Sequence, residues 1–93
     1  MRDLILFSRH GCCLCEGLEQ RLRALPLSDL DLTLSVVDID ASGVSPDLRA
    51  RYNLEVPVLR LEGQDLPRVS PRLSGDGLFN WLQRVLSNPA EPG

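Results

Sequence analysis

The chain has 93 residues, room for one small domain. With 43% hydrophobic and 25% charged residues it falls among globular rather than disordered sequences, and nineteen Leu against four aromatics predict a small aliphatic core. Ten Arg, no Lys and thirteen Asp plus Glu give a net charge of -3, which argues against general affinity for nucleic acid or an anionic membrane.

Leu4-Ile5-Leu6-Phe7, inside Asp3 to Ser8, is apolar throughout and predicts a strand buried on both faces. Arg9-His10-Gly11 follows as a loop, and a helical pattern begins near Cys12. Leu14, Leu18, Leu22 and Leu25 form its apolar stripe, opposite Glu16, Glu19, Gln20, Arg21 and Arg23. Glu19 and Arg23 are spaced as an i,i+4 pair, and Pro26 ends the helix. Gly17 in its middle suggests either the close approach of another backbone or no special role.

Asp31 to Asp40 alternates and then runs apolar, predicting a second strand that Asp38 and Asp40 end in solvent. Ser45-Pro46-Asp47 opens a short helix to about Tyr52: Ser caps, Pro takes the first position, and an acid follows in the first turn. Val56 to Leu61 reads as a third strand opening on Pro57, and Glu62-Gly63-Gln64-Asp65 as a turn. A fourth strand, Leu66 to Val69, contains Pro67 and so belongs at an edge. Asp76 to Ser87 is a last helix with Leu78, Phe79, Leu82, Val85 and Leu86 at helical spacing. Tyr52 and Trp81 are expected to pack, and Arg49, Arg51, Arg60, Arg68, Arg72 and Arg84 to lie on solvated faces. The order is β-α-β-α-β-β-α: one domain over residues 1–87, then a flexible tail at 88–93. The opening strand, helix and strand imply a right-handed crossover and parallel pairing.

All three cysteines, Cys12, Cys13 and Cys15, lie within four residues. Disulfides that staple a secreted fold close long loops; these would close almost nothing, so the cluster is chemical. Cys12 and Cys15 form a C-x-x-C between a buried strand and a helix. A thiol at a helix N-terminus faces unpaired N–H groups and the positive end of the macrodipole, both of which favour thiolate. Cys12 takes that position, with Arg9 and protonated His10 adding positive charge. Cys15, one turn further on, is less exposed. The asymmetry suits exchange: Cys12 attacks a disulfide and Cys15 resolves the mixed disulfide. Cys13 is expected to be an extra thiol. Pro57 cannot donate a ladder hydrogen bond, so the strand end it opens can accept an extended substrate backbone, with Val56 supplying the bonds.

Leu6-Phe7-Ser8-Arg9, Gly11-Cys12-Cys13-Leu14-Cys15-Glu16 and Tyr52-Asn53-Leu54-Glu55-Val56-Pro57-Val58-Leu59 together resemble small bacterial glutaredoxin-like proteins of the thioredoxin-fold superfamily, over about residues 3 to 86. The resemblance implies an α/β, thioredoxin-like three-layer fold: a four-stranded mixed sheet with helices on both faces. It implies that Cys12 and Cys15 are catalytic, that Pro57 is a cis-proline against them, and that Arg9, Val56 and Pro57 contact substrate. Glutaredoxins hold glutathione with a Gly-Gly and an acidic pair; Leu73-Ser74-Gly75-Asp76-Gly77 lacks that pattern, and Glu55 stands where Thr is common. No cofactor is therefore expected, and glutathione binding is expected to be weak or absent.

The expected function is a thiol–disulfide oxidoreductase acting on a disulfide-containing protein or small thiol, as a cytoplasmic monomer without nucleic-acid or membrane partners. No apolar run approaches the ~20 residues of a membrane span, and the N-terminal apolar run is too short for a signal peptide. Two alternatives stay open. One is a metal or iron–sulfur module using His10, Cys12, Cys13 and Cys15, although closed zinc sites usually draw ligand pairs from separate segments. The other is a thioredoxin-fold scaffold without redox activity.

Overall fold

A computed structural model of the protein describes residues 2–87. The expected tail at 88–93 lies outside them. The elements are β1 (Arg2–Ser8), α1 (Cys13–Arg23), a 3₁₀ turn (Leu27–Leu30), β2 (Leu32–Asp38), α2 (Pro46–Tyr52), β3 (Val58–Leu61), β4 (Gln64–Asp65) and α3 (Gly75–Ser87). One mixed sheet has the order β2-β1-β3-β4: β1 runs parallel to β2, and the β1–β3 and β3–β4 pairs are antiparallel.

β1 is central, which explains its continuous apolar run. Leu4 and Leu6 face the α1/α3 side and pack with Leu18, Leu22, Leu78 and Leu82. Phe7, from the opposite face, packs with Ile39 and Tyr52 of the α2 side. Two apolar layers, one on each side of the sheet, make the three-layer fold. Trp81 packs at the rim of the larger layer, as expected.

Several boundaries differ from the sequence reading. The C-terminal hairpin turns on two residues, Glu62 (φ 51°) and Gly63 (φ 81°), the double positive φ that a two-residue hairpin loop favours. β4 therefore begins at Gln64, inside the expected turn. Its pairing ends after Leu66, whose amide donates to the Leu59 carbonyl at 2.8 Å, because Pro67 has no N–H to continue. Beyond that one bond of Leu66, the expected strand at 66–69 does not form. β3 starts at Val58 rather than Val56, and β2 spans 32–38 rather than 31–40.

Leu14 is not in the core: it is 55% exposed, the start of the expected apolar stripe turned to solvent. Gly17 admits no close backbone, since nothing lies within 4 Å of where its Cβ would be. Of the arginines expected on solvated faces, Arg51, Arg68, Arg72 and Arg84 are exposed, while Arg49 and Arg60 are half-buried. Arg60 alternates with Leu59 and Leu61 and lies on the α2 side, its guanidinium 5.1 Å from the Phe7 ring centroid and 5.5 Å from that of Tyr52.

Candidate redox site

Gly11 (φ 81°) makes the sharp turn out of β1 that sets Cys12 at the N-cap of α1. Cys12 Sγ accepts a hydrogen bond from the Cys15 amide at 3.2 Å, one of the unpaired N–H groups of the helix start. Cys12 and Cys15 are joined as a disulfide, with Cα atoms 5.2 Å apart. Cys15 is fully buried, Cys12 is half-buried, and Cys13, a free thiol, is exposed. The pair thus has one sulfur that a substrate can reach and one shielded behind it.

The Val56–Pro57 peptide is cis. Pro57 lines two adjoining hollows. One is a cavity of about 40 Å³ that also touches Leu14, Leu18 and Val69, and so reaches the turn of α1 carrying the cysteines. The other is a cleft of about 270 Å³ bounded by Leu18, Tyr52, Glu55, Leu66 and Val69. The amide of Val56 donates to the Tyr52 carbonyl at 3.2 Å, so one of the two backbone groups expected to hold a substrate chain is engaged within the protein.

Arg9 spends four of its five N–H donors within the protein. Its Nε and Nη2 donate to the Asp40 carboxylate at 2.7 and 3.1 Å, while Nη1 and Nη2 donate to the carbonyl and side-chain oxygen of Asn53 at 3.0 and 2.7 Å. It joins the loop before Cys12 to the loops after β2 and α2. The Arg9 hydrogen bonds hold the Asp40 carboxyl below its ordinary value against the opposing effect of desolvation, and the same pairing raises Arg9. Asp38 ends β2, and Asp40, expected to end the strand, lies two residues beyond it as an exposed ion-pair partner. His10 is exposed. Among the described residues no three His, Cys, Asp or Glu side chains are arranged to hold a metal ion, and Cys12 and Cys15 are bonded to each other.

Sequence reasoning missed the polar frame around the cleft. Tyr52 is 2% exposed; its hydroxyl donates to Asp65 at 2.8 Å and accepts from Arg60. Arg21 of α1 donates to the carbonyls of Pro71 (2.7 Å) and Leu73, pinning the segment after Leu66 against α1. Arg68 donates to the Glu55 carbonyl at 2.9 Å and to its carboxylate at 3.3 Å. The alternation of Arg60 with apolar neighbours was a usable signal; the long-range contacts of Arg21 and Arg68 had none.

Comparison with known proteins agrees with this architecture. Residues 3–83 match the model of the family described as Glutaredoxin-like domain (DUF836). The uncharacterized proteins Mb0520 of Mycobacterium bovis and Rv0508 of Mycobacterium tuberculosis are each 34% identical over 62 residues, 64% of this chain; the match spans 63% of those relatives' length. A structural-genomics target, XcR50 from X. campestris, is 30% identical, with a TM-score of 0.54 over 87% of this chain and 96% of its own. Thioredoxin 1 of Thermosipho africanus (TM-score 0.59, 16% identity, 96% and 99% of the two chains) and oxidized thioredoxin O1 of Arabidopsis thaliana (0.60, 20%, 94% and 77%) share the fold. With a family model covering most of its length, and a sheet, crossover and cysteine pair arranged as described, the chain belongs to the glutaredoxin-like domain family.

Proposed function

We propose that the protein is a thiol–disulfide oxidoreductase whose dithiol, Cys12 and Cys15, reduces protein or low-molecular-weight disulfides. The observation that carries this reading is a disulfide at a helix N-terminus with one accessible and one buried sulfur. In the dithiol form, the Cys15 N–H that now meets Cys12 Sγ, together with the helix N-terminus, favours its thiolate. That thiolate attacks one sulfur of the substrate disulfide and expels the first thiolate. The Cys15 thiolate then attacks Cys12 Sγ in the mixed disulfide and expels the second. The dithiol gives up two electrons and two protons, the substrate gains them, and the protein is left with the disulfide.

In this reading Pro57 walls the substrate site, and the carbonyl of Val56 is the backbone group offered to an extended substrate. Arg9 acts by bracing the loops on either side rather than by contacting substrate, since four of its five donors are engaged. No bound cofactor enters the reading, and glutathione serves at most as a weak ligand or substrate. The cytoplasm, where such a dithiol is kept reduced, is the proposed place of action.

The test is single-turnover reduction of a protein disulfide by the pre-reduced protein. Cys12→Ser is expected to abolish it. Cys15→Ser is expected to accumulate a mixed disulfide with the substrate, and Cys13→Ser to retain turnover. Identical behaviour of the Cys12 and Cys15 variants, or loss of activity confined to Cys13→Ser, would overturn the assignment.

A further inference from the structure

The cleft beside Pro57 is walled by apolar groups but carries four charges: Arg51, Glu55, Asp65 and Arg68. Glu55 and Arg68 pair with each other at 3.3 Å, whereas Asp65 is shared by Arg51 at 3.4 Å and by Arg60, from outside the cleft, at 3.1 Å. The pair of Glu55 and Arg68 has the more consequential position. Glu55 immediately precedes Val56-Pro57, and Arg68 lines both the cleft and the smaller hollow that reaches Leu14. A substrate seated along Pro57 towards the cysteines therefore passes the Arg68 guanidinium. Glu55 occupies that guanidinium twice, through its carbonyl at 2.9 Å and its carboxylate.

Both side chains of the pair are largely exposed, 62% and 61%, so the bond between them is weak and exchangeable. An acid on a ligand can take the place of the Glu55 carboxylate only by competing with it. We propose that Glu55 and Arg68 determine the charge selectivity of the site: with Glu55 masking Arg68, the protein gains no preference for anionic disulfides over neutral ones. The inference rests on the oxidoreductase reading and adds the residues that set its charge selectivity. Its sign follows from Coulomb's law. Removing the Glu55 charge leaves an unmasked cation at the cleft, which attracts anions and repels cations; removing Arg68 leaves an unmasked carboxylate, which does the reverse. For one charge partly screened by solvent, the effect is about fivefold in a rate ratio.

The experiment pre-reduces the full chain and measures single-turnover oxidation by three small disulfides: glutathione disulfide (anionic), hydroxyethyl disulfide (neutral) and cystamine (cationic). The readout is the ratio of each charged substrate's rate to the neutral one. Any change in Cys12 nucleophilicity or in folding is common to all three and cancels. Glu55→Gln is expected to raise the anionic ratio about fivefold and to lower the cationic ratio; Arg68→Gln is expected to shift both the other way. In about 0.5 M NaCl these shifts collapse. Ratios that stay at wild-type values in both variants, or that move in the same direction in both, overturn the charge assignment. Failure of the wild-type dithiol to react with any of the three overturns the oxidoreductase reading itself, a separate outcome.

Discussion

Tyr52 is the single tyrosine of the chain, so its ionisation can be followed without interference. Its ring stacks on Phe7 at 4.6 Å between centroids, and its hydroxyl reaches Asp65. Burial raises its pKa above the ordinary 10.0, and the hydrogen bond to Asp65 adds to the rise, while Arg60 and Arg51 oppose it. A phenol whose folded pKa is raised contributes stability that is complete below pH 10.0 and lost as pH rises through the folded value. Titration by phenolate absorbance is therefore expected to give a midpoint above 10.0 in the folded protein and a lower one in denaturant. Equal midpoints would show that the Tyr52 hydroxyl is not held as described. The residue's packing role was readable from its place on the apolar face of α2. Its bond to Asp65 was not, because thirteen residues and a hairpin separate the two.

At the scale of elements, α1 carries the chemistry and also a conformational weakness. Cys12 caps it, Glu16 stands in its first turn, Arg21 and Arg23 stand in its last, and Arg23 bonds Glu19 at 2.9 Å, the pair its spacing predicted. Gly17 sits in the middle with open space around its missing Cβ. Since no neighbour requires glycine there, Gly17→Ala is expected to stabilise the protein by about 0.5–1 kcal/mol through helix propensity. For a domain of this size that is a rise in Tm of several degrees, checked by calorimetry on the oxidised protein. An unchanged or lower Tm would mean that the helix needs the glycine for a reason its surroundings do not reveal. β4 shows the limit of local signals. Pro67 correctly pointed to an edge strand, yet the strand lies before it, because Glu62 and Gly63 close the turn in two residues and pull Gln64 and Asp65 into register with Leu61 and Arg60.

For the molecule as a whole, the clamp of Arg9 on Asp40 and Asn53 holds three loops together at the end of the sheet where the cysteines lie. Asp40 has a depressed pKa, so the stability it contributes is present above the ordinary value of 3.8 and lost as pH falls through the folded-state value. Urea unfolding between about pH 2 and pH 6 is expected to show wild type above Asp40→Asn at the upper end, with the gap closing at the lower end. A gap that does not depend on pH would assign Asp40 no ionic role. Sequence alone was enough for the element order and the catalytic candidates, because those depend on local periodicity, capping at Ser45 and the placement of Cys12 and Cys15 one helical turn apart. Tertiary structure decided what long-range approach decides: which arginines are bound and to what, that Leu14 faces solvent, and that Val56 gives its amide to Tyr52. It also decided that Glu55 and Arg68, thirteen residues apart, meet beside Pro57. The reason is physical: hydrophobic periods and caps are written within a few residues of the structure they specify, whereas an arginine's partner depends on where the sheet and loops bring distant carbonyls and carboxylates together.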